Sequence, residues 1–267
     1  MPGDDVFRES FLKSLLLVAP GTAFRVGLEN VLKAKTGGLI VVDNSTETMR
    51  LVDGGFKIDC EYNPASLYEL AKMDGAIIMN REATHVSFAN AQLIPDAVIP
   101  SSETGIRHRT AERMARQTGN LVIAISQRRG LITLYQGNNS YVLRDLPTIL
   151  VMANQALQTL EKYRMVMDKE LNRLSGLEFE EMATMADVCR AITRCMLMVK
   201  VSQELDRYII ELGAEGRLVK MQLEEMMLNV RDESILLIKD YQRGAERSAA
   251  EVFSLLSRSF EEDVNDS

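Results

Sequence analysis

The sequence is poor in the residues that mark several common classes of protein. It has no tryptophan, aromatic residues make up 6%, and its 267 residues include three cysteines and two histidines. The cysteines show no Cys-x-x-Cys spacing, which argues against a disulfide framework or a thiolate metal cage. The longest apolar run near the amino terminus, Leu15 to Ala19, is too short to cross a bilayer. The first residues carry Asp4 and Asp5 instead of the basic stretch of a signal peptide. We therefore expect a cytoplasmic protein.

What is abundant points to an ordinary globular protein with a helical part. Hydrophobic residues make up 46% and charged residues 26%, with 15 methionines. This composition favours helix packing filled by flexible thioethers over an aromatic-rich sandwich. The net charge of −7 argues against a strong non-specific nucleic-acid binder, so a site for a polyanion must be a local basic patch.

The first half has the sequence pattern of a mixed α/β domain, in which a central sheet is flanked by helices. Two helices are predicted before residue 34, the second capped by Thr22, and a short helix begins at Pro64. Apolar, strand-length runs follow Gly37-Gly38 and recur to Leu143. A further helix is predicted over Thr110–Gln117 and is ended by Gly119. We place this domain at residues 1–145.

The second half, residues 146–267, is predicted to be all-α. Apolar residues recur at helical spacing from Leu146 to Leu174, Gly176 interrupts them, and helices follow over Glu178–Leu212 and Leu218–Tyr241. The apolar stripe and the methionine-rich segment from Met221 to Met227 could serve as an oligomerisation surface. Equally, they could be the core of the bundle itself, and periodicity does not separate the two.

The most informative segment runs from Ser101 to Gly119. It places Gly105 and then Arg107-His108-Arg109 at the start of a helix, where unpaired N–H groups and arginine forks both suit phosphate. Residues 101–129 carry a local charge of +4 within a chain of −7. The alternative is a solvated helix face with i,i+4 ion pairs, of which Glu112 and Arg116 are a candidate.

Two shorter segments indicate a functional site only when they are considered together with this one. Asp74 directly precedes Gly75 and a buried strand, and by itself would be a turn residue. Residues 126–130 (Ser-Gln-Arg-Arg-Gly) follow a predicted strand, where polar groups often meet ligands. They could equally form a hairpin turn closed by Gly130.

Together, Asp74-Gly75-Ala76 and Gly105-Ile-Arg-His-Arg-Thr110 resemble the two hallmark motifs of the DisA-type diadenylate cyclases. The similarity covers essentially the whole chain. It implies an enzyme that condenses two ATP molecules into cyclic di-AMP, releasing two pyrophosphates at sites shared between facing protomers. The implied catalytic residues are Asp74, Arg107, His108 and Arg109, with Asp74 also the ligand of Mg²⁺ or Mn²⁺ held by phosphates. The implied nucleotide-binding residues are Gly75, Ala76, Leu93, Thr104, Gly105, Ile106, Arg107, His108, Arg109, Thr110, Ser126, Gln127, Arg128 and Arg129.

The resemblance also implies partners. It suggests a homo-octamer whose cyclase domains meet in pairs. Family members usually continue into a helix-hairpin-helix domain that binds branched DNA; no Gly-rich hairpin follows Tyr241, so we expect this sequence to lack that domain and to bind branched DNA only through one. Ile106 stands where the wider family often has threonine, which leaves only a backbone contact there.

Two other functions compete with the cyclase. A non-catalytic nucleotide sensor could use the same pocket with the helical half as its output, and a purely structural scaffold for oligomers or DNA would need no pocket. The presence of both Asp74 and the Arg-His-Arg triplet favours the enzyme over the sensor. The negative net charge argues against the scaffold.

Overall fold

The computed structural model describes residues 2–242 and 247–262, and it divides into two compact units, Met1–Asp145 and Leu146–Ser267. The first is an α/β unit and the second is helical, so the predicted fold class is confirmed. The elements of the first unit, in chain order, are α1 (Pro2–Leu17), α2 (Ala23–Lys33), β1 (Gly38–Val42), α3 (Thr46–Met49), β2 (Val52–Asp53), β3 (Phe56–Glu61), α4 (Pro64–Ala71), β4 (Ala76–Met79), β5 (His85–Leu93), α5 (Ile106–Thr118), β6 (Val122–Ser126), β7 (Leu131–Gln136) and β8 (Asn139–Val142).

The strands of the first unit form one mixed, eight-stranded sheet in the part of the chain described. Its order is β2-β5-β4-β1-β6-β7-β8, with β3 paired to β5. Only β1 and β4 run parallel, with Ile40 opposite Ile77; the other pairs are antiparallel. The order places β1 at the centre, between β4 and β6.

Helices cover both faces of the central strands. All five residues of β1 are buried, as expected for a strand covered on both sides. On one face, Leu39 and Val41 pack with the buried side of α5. On the other, Gly38 lies against Val31 of α2 and Ala71 of α4. The sheet is thus the middle of three layers, and α5 is held against it by an apolar face.

The start of α5 differs from the prediction in a way that matters for the site. The helix begins at Ile106, four residues before the predicted Thr110. The buried face of the helix begins only at Ala111 and continues with Met114 and Ala115, so the first turn lies outside the apolar pattern. Arg107, the second residue of α5, and its two successors therefore lie within the helix.

The second unit contains α6 (Leu146–Phe179), α7 (Met185–Leu212), a 3-10 turn (Gly213–Gly216), α8 (Arg217–Met226), α9 (Val230–Tyr241) and α10 (Ala249–Glu262). One predicted break and two predicted helices differ from the structure, and one helix was not predicted. The helix predicted over Glu178–Leu212 begins only at Met185, since α6 extends to Phe179. Helix α6 continues through Gly176, since one exposed glycine costs a helix only about 1 kcal/mol. The predicted helix over 218–241 is split at Asn229, which adopts φ +63°. Helix α10 was not predicted, although Val252, Phe253 and Leu256 pack on the core at helical spacing.

The apolar stripe of α6 forms the core of the second unit. Its buried members, among them Ile149, Leu157, Leu160 and Met167, belong to one core cluster with residues of α7, α8 and α9. This stripe is thus intramolecular core, one of the two readings left open by its periodicity. No helix among the described residues is both long and apolar enough to cross a membrane.

Candidate functional site

The Asp74-Gly75-Ala76 segment leads into β4, and each of its three residues has a different structural role. The side chain of Asp74 is 99% exposed, and its Oδ1 accepts a hydrogen bond from Arg107 Nη2 at 2.7 Å. Gly75 passes so close to β5 that a Cβ atom would lie 2.4 Å from the backbone carbon of Asn90. Ala76 is buried as the first residue of β4. The glycine lets the chain approach β5 and so presents the carboxylate beside Arg107.

Arg107 and His108 stand in the first turn of α5. Gly105 is the N-cap residue, and no side chain caps this end of the helix. The first N–H groups of a helix have no intrahelical acceptor and carry a partial positive charge. The first turn thus combines backbone donors with the Arg107 fork, a combination suited to an anion.

The predicted turn after β6 is a hairpin, and it also lines the candidate site. Strands β6 and β7 pair antiparallel around it, Gly130 adopts φ +63°, and its N–H donates to Ser126 O at 3.0 Å. The two interpretations of this segment are compatible, because a tight turn can expose its central arginines. Arg128 and Arg129 are both exposed, and neither forms an ion pair within the described ranges.

A cavity of about 410 Å³ lies between the start of α5 and this turn. Its volume falls within the range of small-molecule sites. Its lining consists of Glu103, Thr104, Gly105, Ile106, Arg107, His108, Ile125, Ser126, Gln127, Arg128 and Arg129. Nine of the predicted nucleotide-binding residues thus meet at one cavity, together with Glu103 and Ile125, which were not predicted.

The other predicted site residues lie outside this lining. Ala76 and Leu93 are buried in the sheet core, so only their backbone atoms could reach a ligand. Gly75 packs against Asn90. Arg109 is exposed, and Thr110 is half-buried one residue further along α5.

The site lies at the amino edge of the two parallel strands. In the register of β1 and β4, Gly37-Gly38 stands level with Asp74-Gly75, and the antiparallel β6 brings Ile125 opposite Gly38. The turn after β6 therefore lies at the same edge as Asp74. Ligands of parallel sheets usually bind at the opposite, carboxyl edge, so the mixed sheet changes the expected position.

Other charged residues of α5 hold the segment that precedes the helix. Glu112 is buried and accepts hydrogen bonds from Ser102 N at 3.1 Å and from the Ser101 hydroxyl. The predicted pair of Glu112 and Arg116 is present at 2.6 Å. Arg113 Nε donates to Ile99 O at 2.8 Å. Arg113 and Arg116 thus bind backbone carbonyls. Of the arginines in residues 101–129, this leaves Arg109, Arg128 and Arg129 without an ion pair among the described residues, and Arg107 paired with the exposed Asp74.

Gly37 supports Arg107 and was not predicted as a site residue. It adopts φ +73°, and a Cβ atom there would lie 2.5 Å from Arg107 Nη1 and 3.2 Å from Ile125 O. The guanidinium therefore occupies the space that a side chain at position 37 would need. The Gly37-Gly38 pair in the sequence was a signal that could have found it, but we assigned it only to the start of a strand.

A larger cavity, of about 830 Å³, lies elsewhere in the first unit. Its ionisable lining residues are Lys13, Glu61, Tyr62, Glu82 and His85. Two carboxylates and no arginine make it a poor site for a polyanion. The smaller cavity therefore remains the candidate.

The described residues contain no cluster of three or more His, Cys, Asp or Glu side chains that could cage a metal ion. Asp74 is the exposed carboxylate beside the candidate cavity's arginine. Mg²⁺ commonly uses one or two carboxylates together with substrate phosphates. The residues at this edge fit such a shared ion, with Asp74 as its protein ligand.

Comparison with known proteins assigns the two units to one family. The family model described as "DisA bacterial checkpoint controller nucleotide-binding" matches residues 25–140, and the model described as "DisA bacterial checkpoint controller linker region" matches residues 143–267. The chain thus joins a nucleotide-binding α/β domain to a helical linker region. It belongs to the DisA family.

Individual relatives agree with this assignment. The chain is 55% identical to the DNA integrity scanning protein DisA of Carboxydothermus hydrogenoformans, over 97% of this chain and 74% of the relative. It is 57% identical to that of Symbiobacterium thermophilum, over 88% of this chain and 67% of the relative. A crystal structure of DacA from Staphylococcus aureus is 18% identical, covers 54% of this chain and 91% of that one, and superposes with a TM-score of 0.39.

Proposed function

We propose that this chain is a diadenylate cyclase that condenses two ATP molecules into cyclic di-AMP. The observation that carries the proposal is the 2.7 Å pair between Asp74 and Arg107, which joins an exposed carboxylate to a cavity rimmed by arginines. A carboxylate beside an anion clamp is what attack of a hydroxyl on a phosphate requires. Membership of the DisA family supports the assignment.

The proposed chemistry consists of two equivalent substitutions. The 3′-oxygen of each ATP forms a bond to the α-phosphorus of the other, the bond from that phosphorus to the β-phosphate breaks, and pyrophosphate leaves. Asp74 accepts the proton of the attacking hydroxyl. Arg107, Arg128 and Arg129 bind phosphate oxygens and neutralise the charge that develops in the transition state. A bound Mg²⁺ or Mn²⁺ would supply further charge neutralisation, with Asp74 and the phosphates as its ligands.

The ion pair suggests how binding leads to reaction. In the free chain Arg107 is occupied by Asp74, and both are accessible from the cavity edge. A triphosphate offers Arg107 more negative charge and a matching fork of oxygens. Exchange of partners would leave the Asp74 carboxylate free to take a proton or a metal ion.

The proposed active species is a homo-oligomer with two cyclase domains facing each other. One domain supplies one Asp74 and one Arg107 for a reaction that needs each twice, and a two-fold arrangement provides the second set. Ile106, at the cavity, and Val98 are 78% and 87% exposed, which suits apolar contact with a second copy. We expect specific activity to fall on dilution; a monomer with constant specific activity would contradict the shared site.

The direct test of the proposed function is incubation with ATP and Mg²⁺ or Mn²⁺, followed by mass detection of products. The cyclase predicts cyclic di-AMP and two pyrophosphates for each product molecule. A protein that binds ATP but leaves it intact under both metals would instead be the nucleotide sensor. The octameric state and binding of branched DNA through a further domain remain predictions of the resemblance, and a location in the cytoplasm remains a prediction from the amino-terminal sequence.

A further inference from the structure

Three side chains form a hydrogen-bonded chain at the cavity, two of them in its lining. Glu103 precedes α5, His108 lies in its first turn, and Tyr135 lies on β7. The Tyr135 hydroxyl donates to Glu103 Oε1 at 2.8 Å, and His108 Nδ1 lies 2.9 Å from the same hydroxyl. The histidine and tyrosine rings meet edge to face, with centroids 6.1 Å apart. Glu103 and Tyr135 thus fix the imidazole of His108.

The directions of these hydrogen bonds follow from the available protons. A carboxylate can only accept, so the single hydroxyl proton of Tyr135 points to Glu103. The hydroxyl oxygen must then accept from His108, which requires a proton on Nδ1. In a neutral imidazole the other nitrogen, Nε2, is left with a lone pair.

The surroundings keep both groups in these states. Burial lowers the pKa of His108, and the charges of Arg129 and Arg107 lower it further against the opposing effect of Glu103. Burial and then the hydrogen bond to Glu103 raise the pKa of Tyr135 well above its ordinary value. At neutral pH the histidine is uncharged and the tyrosine keeps its proton.

The second ring nitrogen of His108 has no partner in the described part of the chain. Its Nε2 atom is buried and has no hydrogen-bond partner there, although His108 is part of the cavity lining. Leaving a buried acceptor unpaired costs about 1–3 kcal/mol. Phosphate oxygens carry no proton to offer it, whereas a ribose hydroxyl, the next group along a nucleotide, does.

We propose that Glu103 and Tyr135 are positioning residues that hold His108 in the Nδ1–H tautomer, so that Nε2 accepts a hydrogen bond from a ribose hydroxyl of the nucleotide. The ligand half of this proposal rests on the proposed function, and the tautomer half does not. Glu103 and Tyr135 thereby acquire a role in selecting ribonucleotides, although neither needs to touch the substrate.

Nitrogen NMR of the imidazole side chains tests the tautomer without ATP. The chain has only two histidines, and His85→Gln assigns their signals. His85 is an internal contrast, because its Nε2 lies 2.8 Å from Asp59 Oδ1 and should carry the proton. We expect Nδ1–H for His108 and Nε2–H for His85. An Nε2–H signal from His108 would overturn the proposal.

Paired variants of Glu103 test the cause. In Glu103→Leu the tyrosine hydroxyl loses its acceptor and can donate to Nδ1, so the ring proton should move to Nε2; Glu103→Gln keeps an acceptor oxygen and should keep the tautomer. Tyr135→Phe should leave the tautomer unfixed. Tyr62→Phe is the control, because it removes a hydroxyl that donates to Ala23 O at 3.1 Å, away from His108. An unchanged tautomer in both Glu103→Leu and Tyr135→Phe would refute the mechanism.

Binding of ATP, 2′-deoxy-ATP and 3′-deoxy-ATP tests the ligand half. We expect ATP to bind roughly tenfold more tightly than the analogue that lacks the contacted hydroxyl, because one good hydrogen bond contributes about that much to affinity. Glu103→Leu should weaken that preference, because its Nε2–H can no longer accept from the hydroxyl and can only donate to it, and Glu103→Gln should keep it. The same preference in both variants would overturn the role of Nε2, whereas failure of all three nucleotides to bind would overturn the proposed function and leave the tautomer result standing.

Discussion

Two aspartate–arginine pairs lie at opposite ends of the parallel strands β1 and β4, and both have an N–O distance of 2.7 Å. Asp43 follows the carboxyl end of β1, and its side chain is 1% exposed. Asp74 precedes the amino end of β4, and its side chain is 99% exposed. The same pair of residue types, at the same distance, therefore occupies two opposite environments.

The environments assign different roles to the two carboxylates. Besides Arg81, Asp43 accepts hydrogen bonds from Asn120 Nδ2 at 3.0 Å, from Ser45 N at 3.2 Å and from the hydroxyls of Ser45 and Thr48. Its lone pairs are used inside the protein, where they join β1 to α3 and to the start of β6. Asp74 has Arg107 as its partner and otherwise faces solvent. Only the exposed carboxylate can take a proton or a metal ion from a ligand.

The largest expected effect is loss of catalysis in Asp74→Asn. The amide keeps the shape of the side chain but cannot accept the hydroxyl proton, so we expect cyclic di-AMP formation to fall by ~10²–10⁴-fold. ATP should still bind, because the arginines and the first turn of α5 are intact. Pyrophosphate release and ATP titration measure the two quantities. Turnover near that of the original protein would remove Asp74 from the mechanism.

The next largest effect is expected from replacing the arginine of the Asp74 pair, in contrast to the arginine of the Asp43 pair. Arg107→Ala should weaken ATP binding or slow the reaction by about 2–4 kcal/mol, and Arg107→Lys should restore only part, because it lacks the fork. Arg81→Ala removes the corresponding arginine at the other edge and should leave ATP affinity unchanged. Full rescue by lysine would mean that charge alone, not geometry, matters at position 107.

A smaller effect is expected from Gly37→Ala. The new Cβ would lie 2.5 Å from Arg107 Nη1 and should displace the guanidinium, with a loss of activity of roughly tenfold or more. Gly54→Ala is a matched control, because Gly54 also has positive φ, +61°, but has no atom within 4 Å of the added carbon. In both variants the new alanine must adopt a positive φ, so both carry the same kind of backbone strain. Equal activity in the two, each compared at the same folded fraction, would contradict the supporting role of Gly37.

The smallest effect on catalysis, but a clear effect on stability, is expected from Asp43→Asn. Burial alone would raise the pKa of Asp43, but hydrogen bonds from Ser45, Thr48 and Arg81 outweigh it and hold the pKa below its ordinary 3.8. Its contribution to stability is thus present above pH 3.8 and is lost as the pH falls through the folded-state value. We expect the variant to lose about 1–3 kcal/mol at neutral pH and less at about pH 3. Urea unfolding at both pH values measures this, and an equal loss at both would argue against the ionised carboxylate as the cause.

Much of this arrangement could be predicted from the sequence, because local signals and motifs agree. The Thr22 cap, the turn at Gly130 and the apolar strands were visible as patterns, and the motif from Gly105 to Thr110 contains four of the residues that line the cavity. The buried Asp43 was not found. It resembled any polar residue after a strand, and its donors come from positions 45, 48, 81 and 120, which only the folded chain brings together.

The same limit applies to the contacts behind the site. Glu103 and Tyr135 are separated by 32 residues, and no spacing rule relates them to His108. The edge at which the site lies was likewise hidden, since it depends on β6 running antiparallel to β1. Short strands with apolar runs do not reveal their direction. The motifs indicated candidate residues, and the topology of the sheet determines which of them lie together.

The most direct test of the contrast between the two edges measures stability and product on the same samples of Asp74→Asn and Asp43→Asn. For Asp74→Asn we predict an unfolding midpoint equal to that of the original protein and cyclic di-AMP reduced by at least ~10²-fold. For Asp43→Asn we predict a lowered midpoint and a product yield per folded molecule close to that of the original protein. The account is contradicted if Asp74→Asn is destabilised as much as Asp43→Asn, or if it still forms cyclic di-AMP at an undiminished rate.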